Sequence, residues 1–376
     1  MFPERRGTGA RGHRGTEPTP ARGMTRRTWR ARLFRAAVPL CPCAALLLSC
    51  TGGSQTLVIY SPHGNYLLTL FERRFEAANP GVDVRWLDMG SQEVLDRLRA
   101  ERANPQADVW FGGPVTIFAR GARDSLLEPY RPSWAGRIDS VGRGRGDLYF
   151  AAYETPAVIV YAADALTPEQ APQDWDDLLD ARWRDKVLIR DPIASGTMRA
   201  VWGMIIEREL RRTGDTAAGF AWLRRLDAQT KEYVLNGPLL DQKIARQEGL
   251  VSAWDLPDIL LNRRDGMPLG YVLPRSGAPV IPDAIAVVRG TRRRDLAHRF
   301  VEYIGSIEAQ LLATREVARL PARRDIPPDS LPEWARDVRA RMRVADVDWA
   351  MLERHGAEWM TYWDRHVRNT GRRGGR

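Results

Sequence analysis

The chain has 376 residues, 57 lysines and arginines against 47 aspartates and glutamates, and a formal net charge of +10. The positive charge lies at the ends: residues 1–50 contain ten arginines and two acids, residues 371–376 form a basic tail of three arginines, and residues 51–370 have a net charge of −1. A near-neutral body argues against nucleic acid as a partner. The lack of an apolar run of about 20 residues after position 50 argues against a multi-span membrane protein.

Residues 1–50 have the pattern of an export leader. Five arginines between positions 26 and 35 precede an apolar stretch over 36–48, which is too short to cross a bilayer comfortably. We interpret Met24 as the true start. The stretch ends in Leu-Leu-Ser-Cys at Cys50, which resembles the lipobox of bacterial lipoproteins and implies that Cys50 is lipidated and becomes the new N-terminus. An ordinary signal peptide with a chance cysteine is the alternative.

All three cysteines, Cys41, Cys43 and Cys50, lie in this leader. The body therefore has no disulfide framework and no thiolate metal site. Residues 51–56 are short and mostly polar, as expected of a tether between an anchored N-terminus and a folded body. These features predict a protein on the periplasmic or extracytoplasmic face of a membrane, anchored through Cys50.

The first part of the body alternates strand and helix patterns. The predicted elements are a buried strand at 57–60, a helix at 67–78, a strand at 82–86, a helix opening at Ser91 and a strand at 107–111. Continuous apolar runs such as 57–60 are typical of strands buried on both faces. The β-α-β-α-β order predicts an α/β fold with a parallel, doubly wound sheet.

A second alternation begins near Ala151. It predicts strands at 157–161, 187–189, 232–235, 250–254 and 284–288, and helices at 197–212, 216–227, 239–248, 294–304 and 306–315. The final stretch, 331–368, carries apolar and aromatic residues at helical spacing: Trp349, Leu352, Trp359, Met360 and Trp363. Such a stripe could form a ligand platform, but we interpret it as a helix face packed on the core.

Five segments carry a family resemblance: YSPHG at 60–64, NPGVDV at 79–84, NPQADVWFGG at 104–113, DPIASGT at 191–197 and AHRFVEYI at 297–304. In this order and spacing they resemble the bacterial extracellular solute-binding proteins of ABC importers, in the group that includes ferric-ion and 2-aminoethylphosphonate binders. The resemblance covers roughly residues 57–365. A lipid anchor agrees with it, because such binders are often tethered near a membrane permease.

The resemblance implies a two-lobed type II periplasmic-binding-protein fold, in which the ligand lies in a cleft and the lobes close about a hinge. The implied lobes are 57–153 plus 279–310 and 157–275 plus 311–370, with chain crossings near 153–156 and 275–282. The implied partners are a small-molecule solute and the permease and ATPase of an ABC importer. We expect a monomer without a cofactor.

Three small-residue segments are candidates for an anion site. Ser195-Gly196-Thr197 precedes a helix, where free amides and hydroxyls suit a phosphate, phosphonate or carboxylate; a plain N-cap is the alternative. Asn236 precedes the next helix and resembles a second anion contact, although a turn is equally consistent. Gly112-Gly113 would let a ligand approach the backbone closely, or would simply form a tight turn before Pro114.

Ferric iron is the alternative ligand that the resemblance raises. His63, followed by Gly64, lies just after the first strand, within a residue of a position that iron binders use as a ligand; a structural role for this histidine is equally consistent. The paired tyrosines of ferric binders are absent from 251–258, and glycine replaces the expected carboxylate after Phe111. Because Fe(III) prefers phenolate and carboxylate oxygens, iron becomes the less favoured ligand.

Acidic and aromatic residues near the same cleft suit a cationic amine. With an anion site opposite, they favour a zwitterion such as an aminoalkylphosphonate, or a phosphate ester; a sugar phosphate and a polyamine remain competitors. The complete set of predicted ligand-binding residues is His63, Gly64, Ser91, Gly112, Gly113, Glu154, Ser195, Gly196, Thr197, Asn236, Trp254, Asp255, Asp258 and Asp283.

No enzyme motif accompanies these residues. Ser195 and His63 could be imagined as a hydrolase pair, but the sequence has no G-x-S-x-G elbow. It also has no H-E-x-x-H or phosphate-loop motif. We therefore predict a binding protein and not an enzyme, with a ligand-binding subunit of a sensor as the alternative to an importer.

Overall fold

The computed structural model describes residues 55–370. Its first elements are β1 (Gln55–Ser61), α1 (Gly64–Ala78), β2 (Val82–Asp88), α2 (Ser91–Ala100), β3 (Val109–Pro114), α3 (Val115–Arg123) and β4 (Leu127–Glu128). β1 is parallel to both β2 and β3, which confirms the predicted β-α-β-α-β unit. The leader with Cys50, most of the tether and the basic tail lie outside the described residues and stay predictions.

The middle of the chain forms the second alternation. Its elements are β5 (Phe150–Ala162), β6 (Val187–Arg190), α4 (Gly196–Thr213), α5 (Thr216–Gln229), β7 (Thr230–Val234), α6 (Gly237–Ala245), β8 (Val251–Asp255), α7 (Leu256–Arg264) and β9 (Leu269–Val272). α4 follows the prediction because both of its ends are marked by capping residues. The Ser195 hydroxyl accepts a hydrogen bond from the Met198 amide at 3.2 Å, and Gly214 ends the helix with a φ of 78°.

The last part of the chain contains β10 (Val280–Val288), α8 (Arg294–Ile304), α9 (Ile307–Val317), β11 (Leu320–Pro321), α10 (Glu333–Arg341) and α11 (Trp349–His366). Trp359, Met360 and Trp363 of α11 are buried in the hydrophobic core. The interpretation of the aromatic stripe as a core-facing helix surface is therefore confirmed. Between residues 55 and 370, no helix combines the length and apolar character that crossing a bilayer requires.

Six short 3₁₀ helices complete the described elements. They are Ala135–Arg137, Ser140–Gly142, Arg145–Asp147, Trp175–Leu179, Ala181–Trp183 and Pro328–Ser330.

The strands form one continuous sheet with the order β2-β1-β3-β10-β5-β8-β6-β7. β10 is antiparallel to β5, with Val280 opposite Pro156, and β5 runs on to pair with β8 and β9. β5 and β10 thus link the two halves of the sheet.

Each half of the sheet has its own hydrophobic core, and we call the two halves the first and second lobes. Phe75, Phe111 and Phe300 belong to the core of the first lobe, while Trp202 and Trp363 belong to that of the second. α9 packs in the first core, although the predicted boundary assigned residues from 311 onward to the second lobe. The exact lobe boundaries stay a prediction, and this packing favours placing α9 in the first lobe.

Candidate functional site

A cleft of about 750 Å³ opens between the lobes. Five helices begin at its wall: α1 at Gly64, α2 at Ser91, α4 at Gly196, α6 at Gly237 and α7 after Asp255. The first turn of a helix has amides without intrahelical partners and the positive end of the helix dipole. The convergence of five such ends makes the cleft suited to an anionic group.

Two of the predicted anion contacts also cap their own helices. Ser195 caps α4, and Asn236 caps α6 by accepting a hydrogen bond from the Leu239 amide through its side-chain oxygen at 2.9 Å. Both residues line the cleft, as do Gly196 and Thr197. The capping role given as the alternative for Ser195 is therefore present. A ligand role for these residues stays a prediction.

The two glycines after β3 have different environments. Both have a positive φ, 102° for Gly112 and 106° for Gly113, which favours glycine. Gly113 lines the cleft. Gly112 does not, because the imidazole of His63 occupies the space where a side chain would lie. The prediction of a ligand contact at Gly112 is therefore corrected. Glycine at this position makes room for the His63 ring.

His63 lies at the cleft but is only 8% exposed. Its ring packs edge-on against Phe111, with ring centroids 5.0 Å apart, and its Nε2 atom has no hydrogen-bond partner. Burial lowers the pKa of His63 well below its ordinary value, so the imidazole is neutral at neutral pH. Among residues 55–370, no three His, Cys, Asp or Glu side chains are grouped so that they could hold a metal ion.

Glu154 does not line the cleft. Its carboxylate accepts a hydrogen bond from Arg324 on the far side of β5. Successive residues of a strand point to opposite faces, so the next residue, Thr155, takes the position at the cleft. The other twelve predicted residues do line it: His63, Gly64, Ser91, Gly113, Ser195, Gly196, Thr197, Asn236, Trp254, Asp255, Asp258 and Asp283.

Four carboxyl groups line the cleft, and we call them the acid cluster: Asp241, Asp255 and Asp283, which are buried, and Asp258, whose side chain is 29% exposed. Burial raises the pKa of each of them, and that of Asp283 to about 6. Repulsion from Asp258 adds to the rise at Asp255. Burial thus penalises the charged forms of these carboxyl groups, and a cationic group placed beside them would stabilise those forms.

The acid cluster contacts one buried guanidinium, that of Arg319. Its Nη2 lies 3.6 Å from Asp258 Oδ1, and its Nη1 donates to the Thr155 hydroxyl at 3.2 Å. The Thr155 hydroxyl in turn donates to Asp283. Since Thr155 lies on β5 and Asp283 on β10, Arg319 connects both linking strands to the second lobe.

Sequence reasoning missed three buried charged residues of the cleft, Arg190, Asp241 and Arg319. Arg190 directly follows a predicted strand, the position where open α/β sheets place ligands, and this cue could have identified it. Its guanidinium donates to the Val234 carbonyl at 3.3 Å, and burial lowers its pKa. Asp241 lies inside α6 and Arg319 in an irregular segment, so neither has a comparable cue.

Known proteins resemble this chain over most of its length. A probable ABC transporter periplasmic-binding protein of Sinorhizobium fredii is 28% identical over 82% of this chain and 85% of that protein. A putative 2-aminoethylphosphonate-binding periplasmic protein of Salmonella typhimurium is 27% identical over 66% of this chain and 72% of its own length.

A solved structure supports the same assignment. The periplasmic binding protein AfuA of Actinobacillus pleuropneumoniae, with fructose-6-phosphate bound, is 25% identical over 83% of this chain and 98% of that chain, with a TM-score of 0.73. This likeness confirms the predicted two-lobed type II fold. The family model described as bacterial extracellular solute-binding protein matches residues 73–341. The chain belongs to this family.

Proposed function

We propose that the protein is the periplasmic solute-binding component of an ABC importer, and that its solute is a zwitterionic aminoalkylphosphonate. The observation that carries the proposal is the pairing, in one cleft, of converging helix N-termini with the acid cluster. The phosphonate binds at the starts of α4 and α6, and the ammonium binds at the acid cluster. The Salmonella relative, named as a putative 2-aminoethylphosphonate-binding protein, supports this ligand class.

The charged side chains of the cleft agree with a solute that has a cationic part. Six carboxyl groups line it: Asp88, Glu93 and the four of the acid cluster. Two guanidinium groups, those of Arg190 and Arg319, oppose them. A purely anionic solute would leave this excess of carboxylates unpaired, whereas a zwitterion supplies a charge-assisted partner for each side.

A sugar phosphate is the second candidate, and the size of the cleft favours it. A cleft of about 750 Å³ has more room than 2-aminoethylphosphonate needs. AfuA, which is similar over most of this chain, has fructose-6-phosphate bound in its solved structure. In this alternative the phosphate takes the same helix N-termini, and the sugar hydroxyls donate to the acid cluster.

Calorimetric titration of the purified protein distinguishes these solutes. We expect 2-aminoethylphosphonate to bind more tightly than fructose-6-phosphate or putrescine, because it alone matches both charged sides of the cleft. Tighter binding of fructose-6-phosphate would favour the second candidate. Clear binding of putrescine, with no heat from any phosphonate, would contradict the proposed solute class.

Closure of the lobes around the solute forms the second part of the proposal. In this structure two polar contacts join the lobes: the Tyr66 hydroxyl donates to Asp265, and Arg123 lies 2.8 Å from Glu353. A solute that contacts both lobes stabilises such a closed state over an open one. The permease then recognises the closed form, and acylation of Cys50 keeps the protein at the membrane.

Replacing Gly196 by alanine tests closure directly. A Cβ atom at Gly196 would lie 2.5 Å from Pro114 Cδ and 2.9 Å from Ser91 Oγ, both in the first lobe. We expect the added methyl group to oppose closure and to weaken solute binding by about ten- to hundredfold, the scale of an overpacking penalty. Isothermal titration measures the loss.

The matched control for this variant is Gly356→Ala in α11, where a Cβ atom has nothing within 4 Å. This control should bind solute as the unmodified protein does. Because Gly196→Ala acts on the closed state, its melting temperature without solute should stay close to that of the unmodified protein. Equal affinities for Gly196→Ala and the control would show that the lobes do not approach this closely around the solute.

A further inference from the structure

Asp241 differs from the other carboxyl groups of the cleft in its hydrogen bonding. It is 1% exposed and lines the cleft from α6. Its Oδ2 accepts a hydrogen bond from the Asn262 amide at 2.7 Å, but its Oδ1 has no hydrogen-bond partner. A buried carboxylate oxygen without a donor is costly, so this atom is a marked exception to ordinary protein packing.

The other members of the acid cluster already have donors. Asp255 caps α7 by accepting from the Asp258 amide at 3.2 Å. Asp258 accepts from Trp254 Nε1 at 3.2 Å and lies beside Arg319. Asp283 accepts from Thr155. Of these four residues, Asp241 is the one with a buried carboxylate oxygen that has no hydrogen-bond partner.

The charged groups around Asp241 do not compensate the negative charge of its carboxylate. Burial, together with the like charges of Asp258 and Asp255, raises its pKa well above the ordinary value. Arg319 pairs with Asp258 instead. An added positive group beside Asp241 would relieve both the missing hydrogen bond and the repulsion.

From this geometry we infer that Asp241 receives the cationic group of the solute and determines the preference for aminated over non-aminated solutes. The inference rests on the proposed function and assigns one residue to it. An ammonium of the solute donates an N–H to Oδ1, while Asn262 continues to hold Oδ2. A charge-assisted bond of this kind is among the stronger hydrogen bonds in proteins.

The test compares 2-aminoethylphosphonate with ethylphosphonate, which lacks only the amine, on the unmodified protein and on Asp241→Asn. We expect the unmodified protein to prefer the aminated compound by about ten- to hundredfold. In Asp241→Asn that preference should fall to about threefold or less, because the affinity for 2-aminoethylphosphonate drops while that for ethylphosphonate is unchanged.

Glu232→Gln is the matched control. Glu232 lies on β7, outside the cleft, and pairs at 2.8 Å with Lys243 of α6, the helix that carries Asp241, so this variant removes an equal charge near α6. It should keep the full preference for the aminated compound. Asp241→Asn should melt, without solute, at or above the temperature of the unmodified protein, because it removes a buried charge. Asp241→Ser is the second variant if the first does not fold.

The outcomes separate the inference from the proposed function. An undiminished preference in Asp241→Asn or Asp241→Ser would overturn the role of Asp241 and leave the phosphonate assignment standing. Equal binding of both compounds by the unmodified protein would overturn the role of Asp241 and the proposed binding of an ammonium at the acid cluster, and would leave only phosphonate binding in place. Binding of neither phosphonate by the unmodified protein would overturn the proposed function together with this inference.

Discussion

Replacing Arg319 by methionine is expected to lower the free energy of unfolding by about 3–5 kcal/mol at pH 7.5, the usual cost of removing one partner from a buried ion pair. Arg319 is 4% exposed and provides the positive charge beside Asp258. Methionine fills a similar volume but leaves the acid cluster without its internal cation. Denaturant unfolding at pH 7.5 measures the loss.

Two comparisons make this expectation specific. The loss of unfolding free energy in Arg319→Met should be smaller at pH 5, because the carboxyl groups that have lost the positive charge of Arg319 then take up protons. Arg85→Met breaks an exposed ion pair with Asp83, whose N–O distance is 2.8 Å, and should cost no more than about 1 kcal/mol. An Arg319→Met variant as stable as Arg85→Met would mean that Arg319 does not neutralise the acid cluster.

The stability of the solute-free protein should also fall as the pH rises from about 4 to about 6, because of Asp283. Burial raises the pKa of this carboxyl from 3.8 to about 6 in the folded protein. In that interval the folded state binds more protons than the unfolded state, so ionisation penalises folding. A pKa difference of one unit corresponds to 1.36 kcal/mol, so ionisation of Asp283 lowers the free energy of unfolding by about 3 kcal/mol. This penalty is fully present above about pH 6.

The variant Asp283→Asn isolates this effect. Its stability relative to the unmodified protein should be about 3 kcal/mol higher at pH 7 than at pH 4, even if loss of the carboxylate acceptor for Thr155 lowers stability by a constant amount. Asp325→Asn is a control of opposite sign, because Arg323 lowers the pKa of Asp325. A pH profile of Asp283→Asn parallel to that of the unmodified protein would contradict the raised pKa.

The fold was largely predictable because its strands and helix ends carry local patterns. Apolar runs marked β1 and β3, and capping residues marked both ends of α4. The full length of β5 was not predictable in this way. Only 157–161 was predicted as strand, whereas β5 begins at Phe150, because the linking segment contains Glu154 and Pro156, which interrupt an apolar pattern.

The site was predictable where its residues follow a strand or begin a helix. Ser195 and Asn236 were found in this way, and both line the cleft. Asp241 could not be found, because a carboxyl group within a helix pattern is ordinarily solvated. Glu154 was misplaced because neighbouring residues of a strand face opposite sides, and local patterns do not fix which side meets a cleft.

The way the chain crosses between lobes determines when each lobe can fold. Phe75 of the first core packs against Phe300, with ring centroids 5.1 Å apart, and Trp202 of the second core packs against Trp363, 6.1 Å apart. These contacts join distant parts of the sequence, and such contacts slow folding. A chain emerging N-terminus first therefore completes the first core only once α8 is available, and the second core only once α11 is available.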